Sequence, residues 1–385
     1  MSYPSLNIAQ GIPINVAHTI DSDRLSSATT ATARSSARLS ATTSADAADT
    51  LRSLAYLGIP KGLSNTVAQS VKAHPLRIMI VDNSGSMNTC DGNKMLNNNG
   101  SVKMVKCSRW VELSDEVMKV ADVSSALNAR TDFHLLNPTP DLKQCSIATS
   151  AWEGVAPLGP TTDAASLRQS LNKVNPTNTT PLTESVMSVI SMISPIAADL
   201  RASGQQVAVI LATDGHPNNR QSFVQAMQQL QLLPVWVVVR LCTDDDDVVS
   251  FWNDLDEQLE APLEVLDDVR GEAVEVTSKN PWLTYGSPLH VARLFGLPDK
   301  LFDALDETAL QPTQIKSFIE TLLSCDTLPE PELDVSKFVQ AVAHAQKGLP
   351  LVFDPISQKM KPWIDLRKLE WAINRKCGKG ACAIM

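Results

Sequence analysis

The amino-acid sequence predicts an α/β fold in which helices flank both faces of a doubly wound, mainly parallel sheet. Short apolar runs of strand length, such as Leu76–Val81 and Val207–Ala212, recur within residues 76–276. Longer amphipathic segments such as Ser108–Leu127 separate them and show helical periodicity. Strands that alternate with helices favour a parallel sheet covered on both faces. The chain has 385 residues, of which 43% are hydrophobic, so it can bury such a core.

The predicted elements of residues 76–276 follow one another in this alternation. Apolar runs predict strands at Leu76–Val81, Phe133–Leu136, Val207–Ala212, Val235–Val239 and Leu263–Leu266. Amphipathic segments predict helices at Ser108–Leu127, Ala164–Val174, Leu182–Arg201, Gln221–Leu230 and Val248–Leu259.

Two regions flank this α/β domain. Residues 1–47 are rich in Ser, Thr and Ala, and we expect them to be disordered because they bury too little apolar surface. Their Arg and Ser content also resembles an organelle transit peptide, although the acidic Asp21 and Asp23 weaken that interpretation. The sequence of residues 48–75 predicts one or two short helices that lead into the α/β domain. Residues 277–374 contain short amphipathic segments between prolines, and they predict a small helical region packed on the domain or tethered to it.

Composition limits the classes of function. The net charge of −9 argues against nucleic acid as a partner, because binding phosphates requires a basic surface. Seven cysteines without a Cys-x-x-Cys pair indicate reduced thiols rather than disulfides or structural zinc. We expect no secretory signal at the N-terminus, because it has neither a basic nor an apolar segment of the usual kind, and we expect no apolar stretch to approach the length of a bilayer span. We therefore expect a cytoplasmic protein.

A short polar loop follows the first predicted strand. It contains Asp82, Ser84 and Ser86 at alternate positions, and Gly85 eases the bend between the two serines. These three side chains can turn oxygens toward one point at the carboxyl end of a strand, where open α/β sheets bind ligands. Hard oxygen donors of this kind suit Mg²⁺ or Mn²⁺, whereas Ca²⁺ is less favoured because it requires more ligands.

Two further loops strengthen this prediction. Thr180 lies in a Thr-Thr-Pro-Leu sequence before a long helix, and Asp214 lies in a Thr-Asp-Gly sequence after the strongest strand. Taken alone, Thr180 would be interpreted as a helix N-cap and Asp214 as part of an ordinary turn. Together with the first loop, they resemble the metal-ion-dependent adhesion site of the von Willebrand factor A family. The resemblance spans roughly residues 76–276 and assigns the metal ligands as Asp82, Ser84, Ser86, Thr180 and Asp214.

The resemblance implies a mechanism of partner binding. The serine and threonine hydroxyls would coordinate Mg²⁺ or Mn²⁺, and Asp82 and Asp214 would supply charge directly or through water. One coordination position would remain for an Asp or Glu carboxylate from a protein partner. The sequence departs from the family at residues 88–107, an insert whose Asn99-Gly100 step favours a tight hairpin turn. This insert would lie beside the metal and shape access to it.

The last four residues resemble a prenylation box. Cys382 is followed by Ala, Ile and a terminal Met, a pattern that favours farnesylation of Cys382. One lipid gives only reversible attachment, so the basic tail of residues 375–385 and acylation of Cys377 are candidate second signals. These features predict a peripheral protein on the cytosolic face of a membrane. The alternative is an unmodified, disordered tail.

These predictions favour a non-enzymatic, metal-dependent protein-binding module. A hydrolase would be expected to carry a Gly-x-Ser-x-Gly elbow, and a nucleotide enzyme a phosphate-binding loop; the sequence contains neither. Two alternatives remain. One is a metal-dependent hydrolase, for which His216 is one of few candidate bases near the site. The other is a scaffold whose metal has a purely structural role.

Overall fold

A six-stranded mixed sheet is the central feature of the computed structural model, which describes residues 44–98, 101–243, 245–259, 263–325 and 327–380. The strands lie in the order β5-β4-β1-β6-β7-β8, and every neighbouring pair is parallel except β4 and β5. Their bounds are β1 Leu76–Val81, β4 Thr131–Leu135, β5 Gln144–Ile147, β6 Val207–Thr213, β7 Val235–Leu241 and β8 Glu264–Leu266. Two hairpins form separate two-stranded sheets, β2 Gly92–Asn98 with β3 Ser101–Cys107, and β9 Val352–Asp354 with β10 Lys359–Lys361.

The helices precede, connect and follow these strands. The helices up to β8 are α1 Ser44–Tyr56, α2 Lys61–Ala73, α3 Arg109–Ala126, α4 Ala164–Leu171, α5 Leu182–Ile193, α6 Ala197–Ala202, α7 Arg220–Gln231 and α8 Asp246–Gln258. Those after β8 are α9 Val269–Lys279, α10 Ser287–Leu294, α11 Lys300–Glu307, α12 Pro312–Leu323, α13 Val335–Ala345 and α14 Leu366–Gly380. Short 3₁₀ segments lie at Gly85–Asn88, Thr149–Ala151 and Ser194–Ile196.

Helices cover both faces of the sheet, which confirms the predicted doubly wound α/β class. Alternate residues of each strand point to opposite faces. Ile78 and Ile80 of β1 join a core cluster with residues of α5, α7 and α8. Met79 and Val81, on the other face, join a cluster with residues of α2, α3 and α12. Because both faces are buried, β1 and β6 are continuous apolar runs rather than alternating ones.

The regions before and after the α/β domain contribute to one of these two cores. Leu63 of α2, Phe295 after α10 and Phe318 of α12 belong to the same cluster as Met79. A Cβ on Gly62 would lie 2.1 Å from the backbone oxygen of Thr321, so only glycine allows α2 to approach α12 this closely. The described part of the C-terminal region is therefore packed on the sheet, the first of the two arrangements that the sequence left open.

The predicted element bounds agree with the structure except at a few places. The segment predicted as one helix over Leu182–Arg201 is interrupted by the 3₁₀ turn around Pro195, and α6 follows it. The structure adds the antiparallel edge strand β5, the β9–β10 hairpin and the helices α9 and α10, which the sequence did not predict. Helical structure begins at Ser44, within the segment expected to be disordered; residues 1–43 lie outside the described part.

One described helical stretch, Leu182–Ala202, is long and apolar enough to cross a membrane when judged by length and composition alone. This differs from the expectation that no apolar stretch would approach that length. Leu182, Val186 and Val189 belong to the core cluster that contains Ile78 and Ile80. Packing against the sheet accounts for the apolar face of this stretch.

The insert of residues 88–107 contains the β2–β3 hairpin, which precedes α3 in the sequence. A hairpin is what the sequence predicted here. The strands pair antiparallel from Gly92 with Cys107 to Asn98 with Ser101. The Asn99-Gly100 turn itself lies outside the described residues. Cys90 and Cys107 are free thiols.

A buried ion-pair network centred on Arg240 joins β7 to α3 and α10. Arg240 donates from Nε to Glu116 Oε2 at 2.8 Å and from Nη2 to Glu112 Oε1 at 3.2 Å. His290 Nε2 lies 3.4 Å from Glu116 Oε1. Burial raises the pKa of Glu112 to about 8, whereas the pKa of Glu116 is lowered: burial opposes its charge, but Arg240 and His290 outweigh that effect.

Candidate metal centre

The register of β1 and β6 places the first and the last predicted ligand loops side by side. Val81 pairs with Ala212, so Asp82 and Thr213 follow at the same level at the carboxyl edge of the sheet. The Asp82 backbone N–H donates to the carbonyl oxygen of Ala212 at 2.9 Å. The Thr213 hydroxyl donates to Asp82 Oδ2 at 2.6 Å, and the Ser84 backbone N–H donates to Asp82 Oδ1 at 2.7 Å. The buried Asp82 carboxylate is therefore fixed by both loops.

Three further predicted ligands form a continuous hydrogen-bonded chain of oxygens. Ser84 Oγ lies 3.1 Å from Ser86 Oγ, and Ser86 Oγ donates to Asp214 Oδ1 at 2.8 Å. Ser86 and Asp214 are 128 residues apart in the sequence. Ser84 and Asp214 are buried, whereas Ser86 is exposed. The exposed Ser86 thus links two buried oxygens and opens the group to solvent.

The loop before α5 brings Thr180 to the same place. The Gly85 backbone N–H donates to the carbonyl oxygen of Asn178 at 3.1 Å, which docks this loop on the first one. The Asn218 side-chain oxygen accepts from the Thr180 backbone N–H at 3.2 Å, which docks it on the third. A Cβ on Gly215 would lie 3.7 Å from Thr180 Oγ1, so the Thr180 hydroxyl stands over the residue that follows Asp214. The N-cap of α5 is Pro181, so Thr180 does not have the N-cap role considered above.

Asn83 and Asn137 connect the first two ligand loops through hydrogen bonds. The Asn83 side chain donates to the carbonyl oxygen of Asn137 at 2.7 Å and accepts from its backbone N–H at 2.8 Å. The Asn137 side chain in turn donates to the carbonyl oxygen of Thr179 at 2.9 Å. Both asparagines are buried. These buried bonds fix the position of the first loop relative to the second.

Arg109, at the start of α3, holds the remaining oxygen of Asp214. Its Nη1 donates to Asp214 Oδ2 at 2.9 Å, while Nε and Nη2 donate to the two oxygens of Asp91 at 2.8 and 2.6 Å. Asp91 precedes the β2–β3 hairpin, so the insert and the site are joined through one guanidinium. The Arg109 side chain is 13% exposed, which places it at the rim.

The charges of the site are unequally balanced. Burial raises the pKa of Asp82, and the nearby charge of Asp214 adds to the rise. Hydrogen bonds to Arg109 lower the pKa of Asp91. Hydrogen bonding to Asp91 and the charge of Asp214 raise the pKa of Arg109, which therefore stays protonated. Asp91 and Asp214 each accept a hydrogen bond from Arg109. Asp82 accepts hydrogen bonds only from Ser84 and Thr213 among the described residues.

The donor set fits a small divalent cation. Adjacent ligands of an octahedral Mg²⁺, at about 2.0–2.1 Å from the ion, lie about 2.9 Å apart. The separations of 3.1 Å between Ser84 and Ser86 and of 2.8 Å between Ser86 and Asp214 are close to that value. All five predicted ligands offer oxygen, the element that Mg²⁺ and Mn²⁺ prefer. Arg109 opposes a cation here, because its charge already satisfies half of the Asp214 carboxylate.

Other predicted functional residues lie elsewhere. His216 Nε2 lies 2.8 Å from Arg220 Nη2, and its ring packs edge-on against Phe251, so it is an ordinary residue of the rim. Cys377 lies in α14, and Cys382 lies outside the described residues.

Arg109, Asp91 and Asn137 were not predicted from the sequence. An arginine in the first turn of a helix opposes the helix dipole, so Arg109 could have been expected to have an acidic partner. Asn137 follows a predicted strand, at the sheet edge where ligands bind. Asp91 carried no comparable signal.

No protein-family model matches the chain, and no curated protein matches it. Among solved structures, the chain is similar to a von Willebrand factor type A protein from Catenulispora acidiphila, with a TM-score of 0.31 and 11% identity over 62% of this chain and 43% of that one. It is also similar to the manganese-loaded TRAP protein of Plasmodium vivax, with a TM-score of 0.30 and 14% identity over 51% and 69%. The chain thus spans less than half of the first protein, and at these scores neither likeness bears on the site.

Proposed function

We propose that this protein is a non-enzymatic, divalent-metal-dependent protein-binding module with a site of the metal-ion-dependent adhesion type. Asp82, Ser84, Ser86, Thr180 and Asp214 would hold Mg²⁺ or Mn²⁺, with Ca²⁺ less favoured. The observation that carries the proposal is the series of hydrogen-bonded oxygens from Ser84 through Ser86 to Asp214. It joins two loops that are distant in the sequence. Thr180, beside Gly215, supplies the third hydroxyl.

Each side chain has a distinct part in this site. Asp82 already accepts hydrogen bonds from Ser84 and Thr213, so it would act on the ion through water and supply charge. Ser84, Ser86 and Thr180 would provide neutral oxygens, which leave the positive charge of the ion largely uncompensated. When bound, the ion would offer an open coordination position to an Asp or Glu carboxylate of a protein partner. The exposed Ser86 marks the side from which that partner would approach.

The two alternative functions differ from this proposal in their chemistry. A metal-dependent hydrolase requires a general base, but His216 is tied to Arg220 and Phe251. A scaffold with a structural metal requires a closed coordination shell, whereas Ser86 lies at the surface. Both observations favour partner binding.

Selection of peptides in the presence of Mg²⁺ tests the proposal. We expect peptides that contain an essential Asp or Glu, whose binding is lost with EDTA and on Asp→Asn or Glu→Gln exchange in the peptide. Asp82→Ala should abolish binding. Asp246→Ala is the matched control, because it removes one exposed carboxylate from α8 and should leave binding unchanged.

Other outcomes would favour the alternatives. Binding that survives EDTA would indicate a scaffold. Hydrolysis of acyl or phosphate esters that disappears in Ser84→Ala would indicate an enzyme.

We further propose that the module is held on the cytosolic face of a membrane by a farnesyl group on Cys382. Cys377, Arg375 and Lys379 would provide the second signal. Arg375 stacks on the exposed Trp371, with its guanidinium 5.2 Å from the ring centroid, which leaves an amphipathic pair near the end of α14. Lys376 instead donates to the carbonyl oxygen of Leu310 at 2.6 Å, and Trp363 is buried, so neither supports a membrane contact.

Fractionation of eukaryotic cells that express the full chain tests this anchor. Cys382→Ser should move the protein from the membrane fraction to the supernatant. Cys325→Ser, which changes a partly buried thiol elsewhere, should leave it in the membrane fraction. Membrane attachment that survives Cys382→Ser would contradict the anchor but leave the metal-dependent module untouched.

A further inference from the structure

A second cluster of acidic side chains surrounds Arg293 of α10, at the edge of the sheet near β8. The buried guanidinium donates to three carboxylates: from Nε to Glu264 Oε1 at 2.9 Å, from Nη1 to Glu272 Oε2 at 2.6 Å and from Nη2 to Asp306 Oδ2 at 3.2 Å. One guanidinium therefore serves three carboxyl groups. Glu275 brings a fourth carboxylate to the same place.

The hydrogen bonds of this cluster are incomplete. Asp306 Oδ1 and Glu264 Oε2 are buried, and neither has a hydrogen-bond partner in the described chain. The Asp306 side chain is only 10% exposed, and that of Glu264 only 2%. Buried carboxylate oxygens are normally paired, because leaving one without a partner costs about 1–3 kcal/mol or more. The cluster thus lacks a partner for these two oxygens.

The arrangement of three of these carboxylates matches the size of a calcium ion. Ligand oxygens of Glu272, Glu275 and Asp306 all lie within 4.8 Å of one another. Ca²⁺ binds oxygen at about 2.3–2.6 Å, so two oxygens on opposite sides of it lie up to about 5 Å apart. Glu272 and Glu275 are three residues apart on α9 and share one face of the helix, and Asp306 faces them from α11.

The surroundings also suit a hydrated cation. Glu272 is buried, Asp306 is partly buried and Glu275 is exposed, so the group opens from the interior to solvent. Burial raises the pKa of Glu272 to about 8 against the attraction of Arg293, and Asp306 adds to the rise. Glu272 therefore keeps a proton near neutral pH, which a bound cation would displace.

We propose that Glu272, Glu275 and Asp306 form a cation site for Ca²⁺, separate from the crevice that contains Asp82. The ion takes the place of the proton on Glu272 and pairs the free oxygen of Asp306. It links α9 to α11 and thereby fastens the C-terminal helices to the sheet edge at β8. Its role is to stabilise the fold, and it does not depend on the proposed binding of partner carboxylates.

Calorimetric titration of CaCl₂ into the full chain carrying Asp82→Ala tests this site without a contribution from the crevice. We expect uptake of one Ca²⁺ per chain and a rise in the thermal unfolding temperature. Adding Glu275→Gln should weaken Ca²⁺ binding at least tenfold and abolish the thermal shift. Glu275 is exposed and is not bonded to Arg293, so this variant is expected to fold.

Glu184→Gln is the matched control, because it removes an exposed glutamate from α5 on the opposite face of the sheet. It should bind Ca²⁺ as the Asp82→Ala parent does. Absence of Ca²⁺ uptake by the Asp82→Ala chain would overturn the proposal, as would equal uptake by the Glu275→Gln and Glu184→Gln variants. Neither result would touch the proposed function, which concerns the ion lost on Asp82→Ala.

Discussion

The crevice that contains Asp82 and the network around Arg240 use the same kinds of residue. They differ in how fully the protein itself pairs the charges and hydrogen-bonding groups of those residues. Arg240 is completely buried, and Glu112, Glu116 and the peptide backbone take up its guanidinium. In the crevice, Arg109 lies at the rim and binds only one oxygen of Asp214. Both arrangements depend on α3, which carries Arg109 in its first turn and the two glutamates further along.

The difference separates a structural role from a binding role. A buried ion pair whose groups are all paired has nothing to offer a ligand, and its loss leaves charges stranded in the core. The crevice combines carboxylates with serine and threonine hydroxyls, which can exchange hydrogen bonds among themselves for bonds to a cation. The same residue types therefore stabilise the fold around Glu112 and Glu116 and remain available in the crevice, although both groups lie near the start of α3.

Removal of Arg240 should have the largest effect on stability. Arg240→Leu leaves Glu112 and Glu116 buried without their cation, and we expect a loss of about 3–5 kcal/mol in the free energy of unfolding. Urea unfolding measures this loss. Arg109→Leu is the comparison and should cost about 1 kcal/mol or less, because its ion pairs lie at the rim. Equal losses for the two variants would remove the distinction between the two regions.

Removal of Arg109 should instead improve metal binding. Arg109→Gln takes away a positive charge that competes for Asp214, and we expect the affinity for Mg²⁺ to rise about tenfold, which corresponds to about 1.4 kcal/mol. Calorimetric titration of MgCl₂ measures the change. Arg168→Gln is the control, because it breaks an exposed ion pair with Asp122 on the surface. Weaker Mg²⁺ binding by Arg109→Gln would show that Arg109 helps to build the site.

The pH dependence of stability should reveal the raised pKa of Glu112. Its pKa in the folded protein, about 8, lies above the ordinary value of 4.5. Such a carboxyl stabilises the fold below its unfolded pKa, and this contribution is lost as the pH rises from about 4.5 through 8. Glu112→Gln should therefore flatten the curve of unfolding free energy against pH in that window, whereas Glu184→Gln should not. An unchanged slope would contradict the raised pKa of Glu112.

The sequence predicts those parts of the fold that depend on local patterns. The apolar runs of β1 and β6 are recognisable because both faces of these strands are buried. The polar residues that follow them, Asp82 and Asp214, meet because adjacent parallel strands end at the same edge. The five predicted metal ligands therefore lie in three loops that contact one another.

The remaining features depend on contacts between distant residues. The strand β5 has the short mixed sequence Gln-Cys-Ser-Ile, and only its pairing with β4 makes it a strand. Arg109 meets Asp214 across 105 residues, and Arg240 meets Glu116 across 124. Each arginine has several acidic residues within reach along the sequence, so only the packing of α3 against the sheet selects the partner.

Calorimetric titration of MnCl₂ into the Glu275→Gln chain, with and without Asp82→Ala, tests the central claim that the crevice holds a divalent cation. We predict that the chain with Asp82 takes up one Mn²⁺, and that Asp82→Ala weakens this uptake at least a hundredfold, or about 2.7 kcal/mol. Asp246→Ala in the same background should bind as its parent does. Mn²⁺ uptake that is absent from the chain with Asp82, or that is unchanged by Asp82→Ala, would contradict the account.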